Sequence, residues 1–144
     1  MKPIRFTVLL CLFLGMQLSA QSSQLVGTWL FDYQASYNGL SQEKKTVIDD
    51  LQESIGSSLE EQYSNCKLEI RADGTYTQIL QMGKEEEGVW AYDSTKNLMV
   101  LTNTSSSSQK QQIKQLTGNT LHLEALIKDS MGNILPADTW CYTK

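Results

Sequence analysis

The stretch LVGTWLFDY, residues 25–33, decides how the rest of the chain reads. Gly27, Trp29, Phe31 and Tyr33 alternate with Thr28, Leu30 and Asp32, so an extended segment turns its aromatic side chains to one face. That face needs a core to cover it. The stretch is read as the first strand of an all-β domain, with Gly27, Trp29, Phe31 and Tyr33 stepping along the inner surface.

Extended segments follow at short intervals. CKLEI (residues 66–70) sets Leu68 and Ile70 against Lys67 and Glu69, Asp73-Gly74 supplies a turn pair able to take positive φ, and TYTQILQM resumes the pattern, which is a hairpin signature. After the charged turn GKEEE come GVWAY from Gly88, the turn DSTKN, and LMVLT from Leu98. The polar SSSSQK stretch leads to QQIKQL, Gly118-Asn119 turns the chain into TLHLEAL, and a last loop containing DSMGN and Pro136 ends in TWCY. About eight strands joined by short turns predict an up-and-down antiparallel barrel. Closure removes the exposed edges an open meander would carry, and eight strands enclose a lumen that side chains fill or that holds one small ligand.

Residues 41–65 interrupt the alternation. Ile48, Leu51, Ile55, Leu59 and Tyr63 fall at steps of three and four, the stripe of an amphipathic helix, with Ser41 placed to cap it and Gly56 as a point where one helix becomes two. A helical insert between the first and second strands is therefore expected, lying on the barrel mouth or on the outside of the LMVL strand. Ile48, Leu51 and Ile55 are the candidate lid residues.

Residues 1–20 combine Lys2 and Arg5, an apolar run from Phe6, and a small-residue site ending at Ala20, the layout of a secretory signal peptide. Residues 21–144 then form one soluble domain, periplasmic or secreted, with no transmembrane segment, since no apolar run reaches about 20 residues. Without residues 1–20 the net charge is about −6, which argues against nucleic acid as a partner.

Two cysteines remain, Cys66 and Cys141, and only one pairing is possible. In a closed meander the first strand lies between theirs, and two strand spacings of about 9–10 Å exceed the roughly 7 Å a disulfide spans. A bridge requires one cysteine to sit beyond a strand end, and Cys66, next to Asn65, has such a position. The possible disulfide stays open at this point.

The usual catalytic spacings are missing. The single histidine, His122, alternates with Leu121 and Leu123 and falls on the outer face. The acidic runs at Asp49-Asp50, Glu60-Glu61 and residues 85–87 read as solvated helix faces and a charged turn, so no metal and no cofactor is assigned. A catalytic reading needs a carboxylate or histidine pointing into the lumen. If Phe31, Leu68, Ile70, Tyr76, Trp90, Leu121 and Leu123 point inward, they make a large, mostly apolar lining and are the candidate ligand contacts.

Taken together, LVGTW, KLEIRADGTYTQ, EGVWAYD, NLMVL and IKQLTGNTLHLEA resemble the bacterial lipocalin-like domain proteins, in the calycin superfamily. The resemblance implies that Gly27 and Trp29 form the barrel floor, with Trp29 as its plug. The helical insert after the first strand is closer to the lid of fatty-acid-binding proteins than to the helix that follows the lipocalin barrel. The expected function is non-catalytic binding of a small hydrophobic or amphipathic ligand. The alternative is a ligand-free barrel acting as a structural, inhibitor or protein-interaction module of the cell envelope.

Overall fold

A computed structural model describes residues 23–56, 58–126 and 139–144. The strands are β1 (Gly27–Phe31), β2 (Lys67–Ile70), β3 (Thr75–Ile79), β4 (Glu85–Asp93), β5 (Leu98–Asn103), β6 (Ser108–Leu116), β7 (Thr120–Ala125) and β8 (Thr139–Thr143). Each pairs antiparallel with its neighbour in sequence, and β8 returns to β1 through Leu30↔Thr143 and Phe31↔Tyr142, closing the barrel. The expected up-and-down barrel of eight strands is the observed one.

Helices α1 (Tyr33–Asn38), α2 (Gln42–Ile55) and α3 (Leu59–Tyr63) lie between β1 and β2. Here the opening stretch needs a correction: β1 stops at Phe31, and Tyr33 belongs to a helix. The reason is Asp32, whose carboxylate accepts the Ala35 N–H at 2.9 Å and caps α1. Alternation cannot reveal such a stop, because Tyr33 keeps the phase of the strand. Farther along, Gly56 adopts φ 65° and ends α2, so the predicted stripe is divided between α2 and α3. Two turns are shorter than the sequence suggested, since β4 already begins at Glu85 and β6 at Ser108. Residues 1–20, expected to be a signal peptide, and the loop containing Pro136 lie outside the described residues.

Alternation sorts the side chains. Register carries the inward phase from Trp29 to Leu68, on to Gln78 and then to Glu86, because residues directly opposite share a face. Leu25, Trp29, Leu68, Ile70, Tyr76, Met99, Leu101, Ile113, Leu121, Leu123 and Tyr142 make one buried core inside the barrel. A second core, of Tyr33, Leu40, Ile48, Leu59, Tyr63 and Cys66, binds the helices to the barrel end. Phe31 and Trp140 pack against both, with ring centroids 5.1 Å apart. The insert therefore rests on the barrel mouth, as one of the two expected placements had it.

Candidate binding site in the barrel lumen

The end opposite the helices is shut. Trp29 is fully buried and its indole N–H donates to the Leu25 carbonyl at 2.7 Å. The Lys144 ammonium lies 4.1 Å from the centre of the Trp29 ring and donates to the carbonyls of Gln24 and Val26. Gly27 makes this approach possible: at φ 142° it lies outside ordinary L-residue space, and a Cβ there would come within 2.8 Å of Lys144 Cε. A shallow apolar depression of about 220 Å³ opens beside this floor, lined by Ser23, Val26, Ala72 and Trp90. It falls below the ~300 Å³ at which small-molecule sites begin. Trp90 faces this end, its indole N–H donating to the Arg71 carbonyl at 2.8 Å.

Above the floor the lumen is filled. Leu68, Ile70, Tyr76, Leu121 and Leu123, all expected as ligand contacts, keep 0–1 % of their surface. A side chain bordering a water-sized void retains some accessible surface, so these five pack as core instead. Of the expected lining only Phe31 and Trp90 are partly exposed, and only Phe31 is at the helical end.

Nearer the helices the inward positions become polar. Glu86 and Gln78 are directly opposite on β4 and β3, and Gln109 and Gln111 carry the same phase on β6, opposite Leu101 and Met99. Gln109 Nε2 donates to Glu86 Oε2 at 3.5 Å, and Gln111 Nε2 donates to Gln109 Oε1 at 3.4 Å. Both bonds are long against the usual 2.9–3.0 Å. Lys84, on the β3–β4 turn, donates to Glu86 Oε1 at 2.8 Å. Gln78 is 6 % exposed and its Oε1 is buried with no hydrogen-bond partner. Its side chain meets the hydroxyl of Tyr142, which burial pushes well above the ordinary tyrosine range. Sequence reading missed this belt because it took residues 85–87 for a charged turn; the available signal was that Glu86 is in phase with Trp90.

Of the candidate lid residues, Ile48 is buried in the helical core, Leu51 is partly buried, and Ile55 is 43 % exposed. Ile55 is the last residue of α2, and the chain departs at Gly56 before its side chain gains cover. Over the mouth it is Tyr63 of α3 that meets Phe31 and Trp140, at centroid separations of 5.4 and 6.0 Å. Gln62, beside it, accepts from Gln81 Nε2 on the β3–β4 turn.

Both cysteines are buried and unbridged. The Phe31 N–H donates to the Cys66 carbonyl and the Asp32 N–H to that of Cys141, so the end of β1 runs between them. Burial raises both thiols, Cys66 to about 11. Among the described residues no three His, Cys, Asp or Glu converge as metal ligands, and no helix is long and apolar enough to cross a membrane.

A closed meander with a capped floor, a packed middle and a partly polar mouth defines a barrel of the binding-module type. The chain belongs to the lipocalin-like domain family, whose sequence pattern matches residues 25–123. No curated protein matches it. Among solved structures it is similar to a DUF4847-family protein from Bacteroides vulgatus, with 16 % identity and a TM-score of 0.49, over 86 % of this chain and 95 % of that one.

Proposed function

We propose that this protein binds one small amphipathic molecule in the half of the lumen next to the helices, without catalysing a reaction. The observation that carries the reading is the polar belt at the helical end of the barrel. Inward residues in the middle keep almost no accessible surface, whereas at the helical end Phe31, Glu86, Gln109, Gln111 and Trp140 keep some, and only that end sets inward carboxylate and amide groups beside aromatic rings. In this reading the ligand sits above Leu68 and Leu123, between the aromatic rings on β1 and β8 and the polar belt on β3, β4 and β6.

Glu86 is the inward carboxylate that a catalytic reading requires, and it does not make one. Its neighbours are glutamine amides and the Lys84 ammonium, which donate hydrogen bonds to it, and Lys84 lies at the exposed rim. Residues 1–20 act as a signal peptide in this reading, which places the domain in the periplasm or outside the cell.

Tryptophan emission tests the site. A bound amphiphile is expected to change the emission in the parent and in Trp90→Phe, and to leave Trp140→Phe nearly silent. A flat titration in the parent, together with no ligand in the native mass spectrum, would exclude the lumen site and favour the ligand-free interaction module.

A further inference from the structure

The lumen has a charge sign. Within the eight strands Glu86 is the one inward carboxylate among the described residues, and no strand lysine, arginine or histidine shares its phase; Lys144, just past β8, lies on Trp29 at the opposite end of the barrel. His122 pairs with Cys141 on the outer face, Lys67 and Glu69 alternate outward against Leu68 and Ile70, and Lys110 and Lys114 are exposed. Among the described residues, the cation that touches Glu86 comes from the rim: the Lys84 side chain is 63 % exposed, against 13 % for Glu86.

The belt is also short of donors on its acceptor side. Gln78 Oε1 has no partner, and the two bonds linking Glu86, Gln109 and Gln111 are stretched to 3.5 and 3.4 Å. A buried acceptor left unmatched costs about 1–3 kcal/mol, so a slack, acceptor-rich belt gains most from a ligand that brings hydrogens. Tyr76 borders the same region, and after burial it is the charge of Glu86 that raises its hydroxyl. An anionic head group would meet the Glu86 carboxylate with, among the described residues, only the exposed Lys84 ammonium to offset it, and that ammonium is already paired to Glu86.

We infer that the mouth of the lumen selects amphiphiles whose polar end is a hydrogen-bond donor, a primary amine above all and a hydroxyl next, and rejects carboxylates such as fatty acids. Glu86 is the specificity-determining residue. Gln109, partly exposed beside it, presents a further acceptor to the same head group. This rests on the lumen site proposed above and adds the chemical class of its ligand.

Three probes with one tail test it: decylamine, decanol and decanoate, titrated below their micelle concentrations into the full mature chain. Decylamine is expected to bind about tenfold or more tighter than decanoate, with decanol between, the difference made by one charge-assisted bond gained and one repulsion avoided. Glu86→Gln keeps the shape and is expected to bring amine and carboxylate within about threefold of each other. Lys84→Ala frees Glu86 of its rim cation and is expected to widen the amine preference, so the inference does not depend on one variant folding. Decanoate binding as tightly as the amine, or a preference unmoved by Glu86→Gln, overturns the inference and leaves the lumen site standing. Binding of none of the three overturns both.

Discussion

Gly27 and Gly88 both precede a tryptophan by two residues, yet they answer to different neighbours. A Cβ on Gly27 meets the flexible end of Lys144, whereas a Cβ on Gly88 runs into the backbone carbonyl of Thr102 on β5. Gly27→Ala is therefore expected to cost about 1–2 kcal/mol and Gly88→Ala about 3, measured by urea denaturation, because a side chain can move aside and a paired strand cannot. Part of the Gly27 cost is the encounter with Lys144, so Gly27→Ala in a Lys144→Ala background should cost less than in the parent. Strict additivity in that cycle would show that the φ of 142° accounts for all of it. The glycine-tryptophan spacing was legible in the sequence. What each glycine makes room for was not, since Lys144 and Thr102 lie far along the chain and reach these positions only once the barrel closes.

At the scale of elements, parity proved a dependable guide inside strands and a poor one at their ends. Leu68, Ile70, Leu121 and Leu123 sit where period two puts them, and the helical stripe found Ile48, Leu59 and Tyr63. The misreadings at Tyr33, Glu85 and Ser108 share a cause: hydrogen bonds formed by short polar side chains or by cross-strand partners move a boundary without altering the hydrophobic pattern. The polar belt was lost for the same reason, because Glu86 was assigned to a turn. Two caps are open to test. Asp32→Ala removes the acceptor for the Ala35 N–H and should destabilise the fold by about 1 kcal/mol. Gly56→Ala has open space around it, so its cost, again about 1 kcal/mol, comes from the left-handed backbone alone. Circular dichroism melts of the two variants read both. No loss in Asp32→Ala would mean that α1 is held by Tyr33 and by the Ser36 hydroxyl, which accepts the Cys141 N–H.

At the scale of the molecule, burial of acidic hydrogens ties stability to alkaline pH. Cys66, Cys141, Tyr76 and Tyr142 all have their ionisation raised, chiefly by desolvation. A raised acid keeps its proton in the folded state and releases it on unfolding, so the stabilisation is complete below the ordinary thiol value of 9.0 and declines as pH climbs towards about 11. Denaturation midpoints should hold steady from neutrality to about pH 9 and fall above it. Cys66→Ser, which removes the thiol, should lessen that fall. The same burial predicts that a thiol reagent labels Cys66 and Cys141 slowly in the native protein and both promptly in denaturant without reductant. Labelling of neither in denaturant would reveal a disulfide and contradict the unbridged pair.

The seam between β1 and β8 consists of two registered pairs, where β4 and β5 have six. Every other strand pair joins neighbours in sequence, β1 and β2 across the helical insert, so those junctions form from encounters far more local than this one. The last brings together segments more than a hundred residues apart, as the Ser36 to Cys141 hydrogen bond, spanning 105 positions, does in the finished barrel. The entropy of that closure falls on the shortest junction in the sheet. The barrel should therefore assemble as a curling ribbon that commits late. The helical insert and Lys144, which clasp the two sides of the seam, then act on the rate at which the finished barrel reopens more than on the rate at which it forms.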